Sequence, residues 1–176
     1  MSQTEKKQPE KKNFLRSVLG LVLEVAVLWI VFHYIIFFAY VPTTSMVPTI
    51  PKKSVMLVTY LHGDKKVERG DAVVFWSEEY QERMVKRVVG LPGETVVIEE
   101  GTVLIDGVPL DEPYVKYQDE LSAEFHIPED CYLFLGDNRN NSEDARWWDN
   151  PYIFSEDLIG KAQILLWPLT EISLIR

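Results

Sequence analysis

The feature of the sequence that most constrains the fold is a long apolar segment close to the N-terminus. Between Val18 and Ala39, only Gly20, Glu24 and His33 are not apolar. As a helix rising 1.5 Å per residue, this segment crosses the ~30 Å hydrocarbon core of a bilayer. A cleaved secretory signal is disfavoured, because its apolar core is only about 7–15 residues long and small residues follow it. The sequence therefore predicts one transmembrane signal-anchor helix over residues 18–39.

This segment divides the 176-residue chain into a short tail and a larger body. Residues 1–17 carry five basic and two acidic side chains, a net charge of +3, and lack apolar periodicity, which is typical of a disordered tail. Basic residues beside a membrane span stay on the cytoplasmic side. We therefore expect a cytoplasmic N-terminus, a single-pass anchor in the cell membrane and an extracytoplasmic body over residues 40–176.

The composition of the body excludes several classes of function. Its 13 basic and 24 acidic residues give a net charge of −11, so it lacks the clustered cations that nucleic-acid binding requires. The single cysteine, Cys131, cannot form an intramolecular disulfide. His33, His62 and His126 are too widely spaced in sequence for a zinc or iron site, so we expect neither a metal nor a cofactor.

The body has the pattern of an all-β protein. Short runs of apolar, β-branched or aromatic residues are separated by Gly, Pro and Asp, and no convincing helical period appears. The polar segment Asp111–Asp130 is typical of a loop or a small appendage. We predict a mainly β, largely antiparallel fold, with strands at residues 54–60, 72–76, 82–89, 95–99, 102–105, 132–135 and 160–167.

A run of hydroxyl side chains follows the predicted span. Residues 41–49 read Val-Pro-Thr-Thr-Ser-Met-Val-Pro-Thr, with Thr43, Thr44 and Ser45 between two prolines. Proline holds the neighbouring backbone in extended or turn geometry, so these hydroxyls are not hidden in a helix. The segment is either a linker beside the membrane or the position of a reactive serine.

Two adjacent cations lie in a predicted strand. Strand alternation sends Lys86 and Arg87 to opposite faces, so one of them is expected to point into an apolar face. Burial lowers the pKa of an amine, and a neutral lysine can activate a serine hydroxyl without histidine. Arg87 cannot act in this way because its guanidinium stays protonated. Lys86 is thus either a general base or a lysine whose stem lies along a half-buried strand.

The polar segment Gly136–Arg146 directly follows a predicted buried strand. It combines acidic side chains with two arginines, which indicates a hydrogen-bonded loop that braces neighbouring strands. A solvated turn has a similar composition, so this alternative stays open.

Taken in order, these segments resemble the type I signal peptidases, membrane-anchored serine proteases that remove signal peptides from exported proteins. The likeness covers essentially the whole chain, from the tail and anchor through residues 45–49, 69–75, 85–93, 136–146 and 159–162. The segment 111–130 resembles the small appendage of Gram-positive members. The resemblance implies a largely antiparallel β fold with an apolar surface that sits on the membrane.

The resemblance also implies a Ser/Lys catalytic dyad. Ser45 is the implied nucleophile, and Lys86 is the implied general base that takes its proton and returns it to the leaving amine. The oxyanion hole is implied to consist of the Ser45 backbone N–H and the Thr43 hydroxyl.

Structural support of this site is implied for four further residues, Asp144, Arg146, Ser142 and Arg87. Asp144 and Arg146 match the family's brace behind the lysine. The family usually carries a serine between them, whose hydroxyl helps to orient the lysine, whereas this chain has Ala145.

The implied substrates are the signal peptides of exported preproteins, cut after small residues in an Ala-X-Ala-like pattern. Val41, Met46 and Val85 are our predictions for the residues that line the substrate pockets. The lipid bilayer and the secretion translocase are the further expected partners, with no metal or cofactor.

Three other classes share part of this pattern. Self-cleaving Ser-Lys repressors use the same chemistry, but they carry a DNA-binding module that an anchored, acidic body lacks. A Ser-His-Asp hydrolase is disfavoured because Ser45 lacks the Gly-x-Ser-x-Gly elbow. The remaining alternative is an inactive or specialised relative that acts as a membrane-tethered assembly factor, for example in pilin biogenesis, and Ala145 is its only support.

Overall fold

The computed structural model describes residues 9–63 and 67–176. The chain divides into two compact units, one that ends at Ile36 and one that begins at Phe37. Residues 1–8, the first half of the predicted disordered tail, lie outside the described residues.

The first unit consists mainly of one apolar helix. Helix α1 runs from Pro9 to Ile30, and a π-helical segment, Val31–Ile35, continues it. Within it, Asn13–Ile35 is long and apolar enough to cross a membrane, with a mean hydropathy of 2.2. The helix starts within the predicted tail, because proline suits the first helical position and the glutamate and lysines after it are good helix formers.

The helix differs from the predicted span, residues 18–39, at both ends. Residues 9–17 are helical and not disordered, and residues 36–39 are extended as part of a strand, Ile36–Val41. That strand is rich in β-branched and aromatic side chains and lies at one edge of a sheet. Apolar composition alone does not distinguish the end of a buried helix from a buried strand.

The second unit is built from two β-sheets. In chain order the strands are β1 (Ile36–Val41), β2 (Ser54–Tyr60), β3 (Ala72–Ser77), β4 (Glu82–Gly90), β5 (Thr95–Glu99), β6 (Thr102–Ile105), β7 (Val108–Pro109), β8 (Ala123–His126), β9 (Cys131–Leu135), β10 (Tyr152–Phe154), β11 (Leu158–Trp167) and β12 (Ser173–Leu174). The larger sheet has the order β1-β2-β11-β3-β4-β9-β10, with β12 paired to β11. The smaller sheet has the order β7-β6-β5-β8.

The predicted fold class is confirmed: a largely antiparallel β body with a small β appendage follows one N-terminal apolar helix. The predicted bounds of β2, β5 and β6 agree with the structure. Strand β8, by contrast, lies inside Asp111–Asp130, where we predicted a loop or appendage. Its four residues are too few to show an alternating pattern, and pairing with β5 makes them a strand.

The larger sheet has apolar cores on both faces. Val73 and Phe75 belong to one buried cluster, whereas Ala72 and Val74, their neighbours on β3, belong to another. Because successive strand residues point to opposite faces, these clusters cover the two sides of the sheet. The second half of the neighbouring strand β4, residues 86–90, is therefore buried, whereas its first two residues are exposed.

This enclosure buries both adjacent cations, where we had expected burial of one. The exposed fractions of Lys86 and Arg87 are 5% and 1%. Arg87 is paired with Asp137, which is fully buried, through contacts of 2.8 Å (Nε to Oδ1) and 2.5 Å (Nη2 to Oδ2). Its Nη1 also donates to the Gly70 carbonyl at 2.6 Å, and its guanidinium lies 4.0 Å from the centre of the Tyr114 ring.

We predict that Asp137→Ala lowers the free energy of unfolding by about 3–5 kcal/mol, because it leaves the buried guanidinium of Arg87 without its carboxylate. Glu124→Ala is the control, since Glu124 pairs with His126 on the surface and its loss should cost at most about 1 kcal/mol. Urea unfolding of the detergent-solubilised protein measures both. Equal losses in the two variants would contradict the structural role of the Arg87–Asp137 pair.

Candidate active site

Ser45 lies in the segment between β1 and β2 and is held there by the polar loop, residues 136–146. The backbone N–H of Asn138 donates to the Ser45 carbonyl at 2.9 Å. The side-chain amide of Asn138 donates to the Thr44 carbonyl at 3.2 Å, and that of Asn141 donates to Thr44 Oγ1 at 2.7 Å. Three hydrogen bonds therefore set the position of the Ser45 backbone against the polar loop.

Gly136 allows the two segments to come this close. A Cβ at Gly136 would lie 2.6 Å from the Ser45 carbonyl oxygen and would also overlap the Ser142 side chain. The absence of a side chain at this position thus lets both Ser45 and Ser142 approach the Gly136 backbone.

Lys86 enters the site from β4 and meets Ser142. Its Nζ donates to Ser142 Oγ at 3.2 Å, in a buried environment. The pKa of the Lys86 amine falls from 10.5 to about 8, mainly because the amine is buried. Arg146 also lowers this pKa, whereas Asp144, Glu143 and Asp137 oppose the fall. At pH 7 about one molecule in ten then carries the neutral amine, a free-energy cost of about 1.4 kcal/mol.

Asp144 and Arg146 form the next layer of the site. Arg146 Nε donates to Asp144 Oδ1 at 2.7 Å and its Nη2 donates to Oδ2 at 2.8 Å. Burial alone would raise the pKa of the Asp144 carboxyl, but Arg146, the Gly136 N–H and Ser142 hold it below its usual value. Asp144 is therefore ionised and in contact with the hydroxyl that meets Lys86.

Ala145 does not leave Lys86 without a hydroxyl partner. Its side chain is 2% exposed and belongs to the apolar cluster that contains Phe134 and Trp148. The hydroxyl that contacts the lysine belongs to Ser142, three residues earlier in the loop. The role that the resemblance assigns to a serine at position 145 thus falls on a residue already expected to support the site.

An open cleft of about 800 Å³ gives access to these groups. Ser45, Lys86 and Thr43 all line it, and Thr43 Oγ1 lies 3.4 Å from Ser45 Oγ. A serine hydroxyl, an amine with a lowered pKa and a threonine hydroxyl thus line the same open cleft. Such a set can perform nucleophilic attack on a carbonyl and stabilise the resulting oxyanion.

Two of the three predicted pocket residues line the cleft, and the third does not. Val41 and Val85 line the cleft, on β1 and β4. Met46 is not among the residues that line the cleft, and its side chain is fully buried beside Ile50 in an apolar cluster. Met56 lines the cleft instead, although its place in β2 gave no reason to select it from the sequence.

Sequence reasoning did not identify Asn138, Asn141, Tyr80 or Glu143 as parts of the site. The density of polar residues predicted that the loop braces a neighbouring segment, but the sequence did not indicate which segment. Asn141 and Thr44 are 97 residues apart, so only the folded chain shows that they meet.

Comparisons with known proteins point to one family. A family model described as Signal peptidase, peptidase S26, matches residues 14–167. Signal peptidase I of Leptolyngbya laminosa is 36% identical over 143 residues, covering 76% of this chain and 70% of that protein. Signal peptidase IB of Staphylococcus aureus (strain COL) is 30% identical over 183 residues, covering 92% and 93%. A crystal structure of a signal peptidase I from Enterococcus faecalis V583 has 31% identity and a TM-score of 0.49, covering 56% of this chain and 98% of that chain.

We predict that Gly136→Ala lowers the free energy of unfolding by about 1–3 kcal/mol, because the new methyl group forces the polar loop away from Ser45 and Ser142. Gly20→Ala is the control, since a Cβ at Gly20 would meet nothing within 4 Å. Thermal unfolding of the two variants and the wild type makes the comparison. An unchanged stability for Gly136→Ala would mean that the loop does not need this close approach.

Proposed function

Since this chain belongs to the signal peptidase family, peptidase S26, we propose that it is a membrane-anchored signal peptidase I that removes N-terminal signal peptides from exported preproteins. The observation that carries the proposal is the cleft that Ser45 and Lys86 share, with the lysine buried and hydrogen-bonded to Ser142. The proposed cut follows small residues in an Ala-X-Ala-like pattern. The reaction needs no metal or cofactor, because a Ser/Lys dyad supplies both nucleophile and base.

In the proposed reaction, the neutral amine of Lys86 takes the proton of the Ser45 hydroxyl while Oγ attacks the scissile carbonyl carbon. The Ser45 N–H and the Thr43 hydroxyl stabilise the negative charge that develops on the carbonyl oxygen. The Lys86 ammonium then returns the proton to the leaving amine, which releases the mature protein and leaves an ester on Ser45. Water, deprotonated by Lys86, hydrolyses this ester and frees the signal peptide.

A free strand edge beside the dyad supports binding of an extended substrate. In the described strands, β4 pairs with β3 over residues 82–87 but with β9 only from Arg87 to Gly90. The second edge of residues 82–86 therefore faces the cleft, where backbone groups can pair with a peptide strand. Val41 and Val85, which line the cleft, are the proposed contacts for small substrate side chains.

We also propose a topology for the membrane protein. The apolar helix Asn13–Ile35 is the proposed single span, with the basic N-terminal residues in the cytoplasm and the peptidase domain outside. Exposed apolar side chains near the end of β11, namely Trp167, Leu169 and Ile172, support contact of this domain with the bilayer surface. The secretion translocase is a further proposed partner, since it delivers preproteins to the same face.

The alternative of an inactive assembly factor depended on Ala145 alone. The hydrogen bond from Lys86 to Ser142 supplies the partner whose loss Ala145 suggested. No other observation on the described residues favours that alternative.

We predict that Ser45→Ala, Lys86→Met and Lys86→Arg each abolish cleavage of a preprotein by the detergent-solubilised protein, because the nucleophile and its base act as a unit. Lys86→Arg tests the chemistry directly, since arginine keeps the charge but cannot lose a proton. Lys116→Met, at an exposed lysine, is the control and should cleave at the wild-type rate. Cleavage by Lys86→Arg at a comparable rate would rule out the general-base role.

We predict that kcat/KM rises with pH to a plateau, with an apparent pKa of about 8. The sign follows from the mechanism: only the deprotonated amine of Lys86 can accept the serine proton, and its fraction grows as the pH passes the depressed pKa. With a peptide substrate that has no titratable side chains near the cut, this rise of kcat/KM with pH, the pH limb, reports ionisation of the enzyme alone. A limb at the reference lysine value, ~10.4, would contradict the burial effect on Lys86.

A further inference from the structure

The turn between β3 and β4, residues 78–81, forms hydrogen bonds with the polar loop and with the residues just after it. The hydroxyl of Tyr80 donates to Glu143 Oε1 at 3.0 Å. On the same turn, the Glu79 carboxylate accepts hydrogen bonds from the backbone N–H groups of Asp149, at 3.1 Å, and Asn150, at 3.4 Å. These contacts link the turn to Glu143, directly after Ser142, and to the backbone of Asp149 and Asn150.

Glu143 occupies a special position in this arrangement. It stands between Ser142, which contacts Lys86, and Asp144, which contacts Ser142. Tyr80 and Glu143 both line the cleft that contains Lys86. Because Glu143 is exposed, its carboxylate would be free to move into solvent without the Tyr80 hydroxyl.

The charge of Glu143 differs from the buried acidic charges of the site, because among the described residues it has no salt-bridge partner. Asp144 is paired with Arg146, and Asp137 with Arg87. Among the described residues, no salt bridge involves Glu143. Its partner Tyr80 is a neutral donor, and burial, with the Glu143 carboxylate next, raises the pKa of Tyr80 to about 12. Tyr80 therefore remains a donor throughout the working pH range of a serine peptidase.

We propose that Glu143 and Tyr80 are positioning residues of the active site: Tyr80 fixes the Glu143 carboxylate at the cleft wall, and this fixed negative charge favours the protonated form of Lys86. The pair thereby raises the pH at which the lysine becomes a base. This inference rests on the proposed function, because its readout is cleavage by the Ser45–Lys86 dyad.

Other charged groups also act on Lys86, and they limit how large the effect can be. Burial has the largest effect on the pKa of Lys86 and lowers it. The charges of Asp144, Glu143 and Asp137 raise this pKa, and that of Arg146 lowers it. The remaining charged side chains that line the cleft are exposed, namely Lys52, Glu82 and Arg83. An exposed charge is partly screened by solvent, so we expect removal of Glu143 to shift the pH limb by about 0.2–0.7 pH unit.

The experiment compares the pH dependence of kcat/KM for detergent-solubilised wild type, Glu143→Gln, Tyr80→Phe and the double variant. We expect Glu143→Gln to move the limb to lower pH by about 0.2–0.7 pH unit, and Tyr80→Phe to move it less in the same direction. The double variant should match Glu143→Gln, because Tyr80 acts only through the carboxylate. At 1 M salt the difference between wild type and Glu143→Gln should shrink, since ions screen exposed charges.

Glu79→Gln is the matched control, because Glu79 is a carboxylate of the same turn that does not line the cleft. It should leave the limb at its wild-type pH. Thermal unfolding of every variant identifies any loss of fold. If the limb of Glu143→Gln coincides with that of the wild type, or if Glu79→Gln shifts it equally, the inference is overturned.

Ser45→Ala separates this inference from the proposed function. A wild type that does not cleave, or a Ser45→Ala variant that does, would overturn the proposed function and this inference together. An active wild type, an inactive Ser45→Ala variant and an unchanged limb in Glu143→Gln would overturn the inference alone.

Discussion

The buried ion pair between Arg87 and Asp137 is the interaction on which the site depends. Both side chains are almost completely removed from water, so each charge needs the other. Asp137 is the second residue of the polar loop, and its two sequence neighbours, Gly136 and Asn138, lie against the Ser45 segment. A pair on one face of β4 thus holds the loop whose Ser142 meets the lysine on the other face.

Lys86 and Arg87 are adjacent and both buried, but they differ in how their charge is accommodated, because their surroundings and their chemistry differ. Arg87 meets a carboxylate in matching bidentate geometry and stays charged. Lys86 meets a neutral hydroxyl, while the buried carboxylate of Asp144, which acts on its pKa, is already paired with Arg146. Desolvation without a dedicated counter-ion is what makes an amine a usable base near neutral pH. The same burial would leave a guanidinium protonated, so in the proposed mechanism only the lysine of this adjacent pair can serve as the base.

Much of this protein is determined by local sequence. The long apolar run predicts a helix that can span a membrane, and β-branched runs between turn residues predict β2, β5 and β6 with their observed bounds. Hydroxyl residues between prolines and a lysine in an apolar strand identify Ser45 and Lys86 as candidates. These features depend on the periodicity and chemistry of neighbouring residues, which a sequence displays directly.

Only the tertiary structure decided the contacts between distant segments. It ended the apolar helix before Ile36 and made the next residues an edge strand, since a neighbour was present to pair with them. It also buried Met46 in a core, and it brought Ser142 to Lys86 across 56 residues of chain. Burial and hydrogen bonding depend on which surfaces meet in space, and a residue's sequence neighbours do not specify that meeting. The pKa of Lys86 illustrates the physical reason. It depends on desolvation and on charges from a loop distant in sequence, and both act on the amine only when the chain is folded.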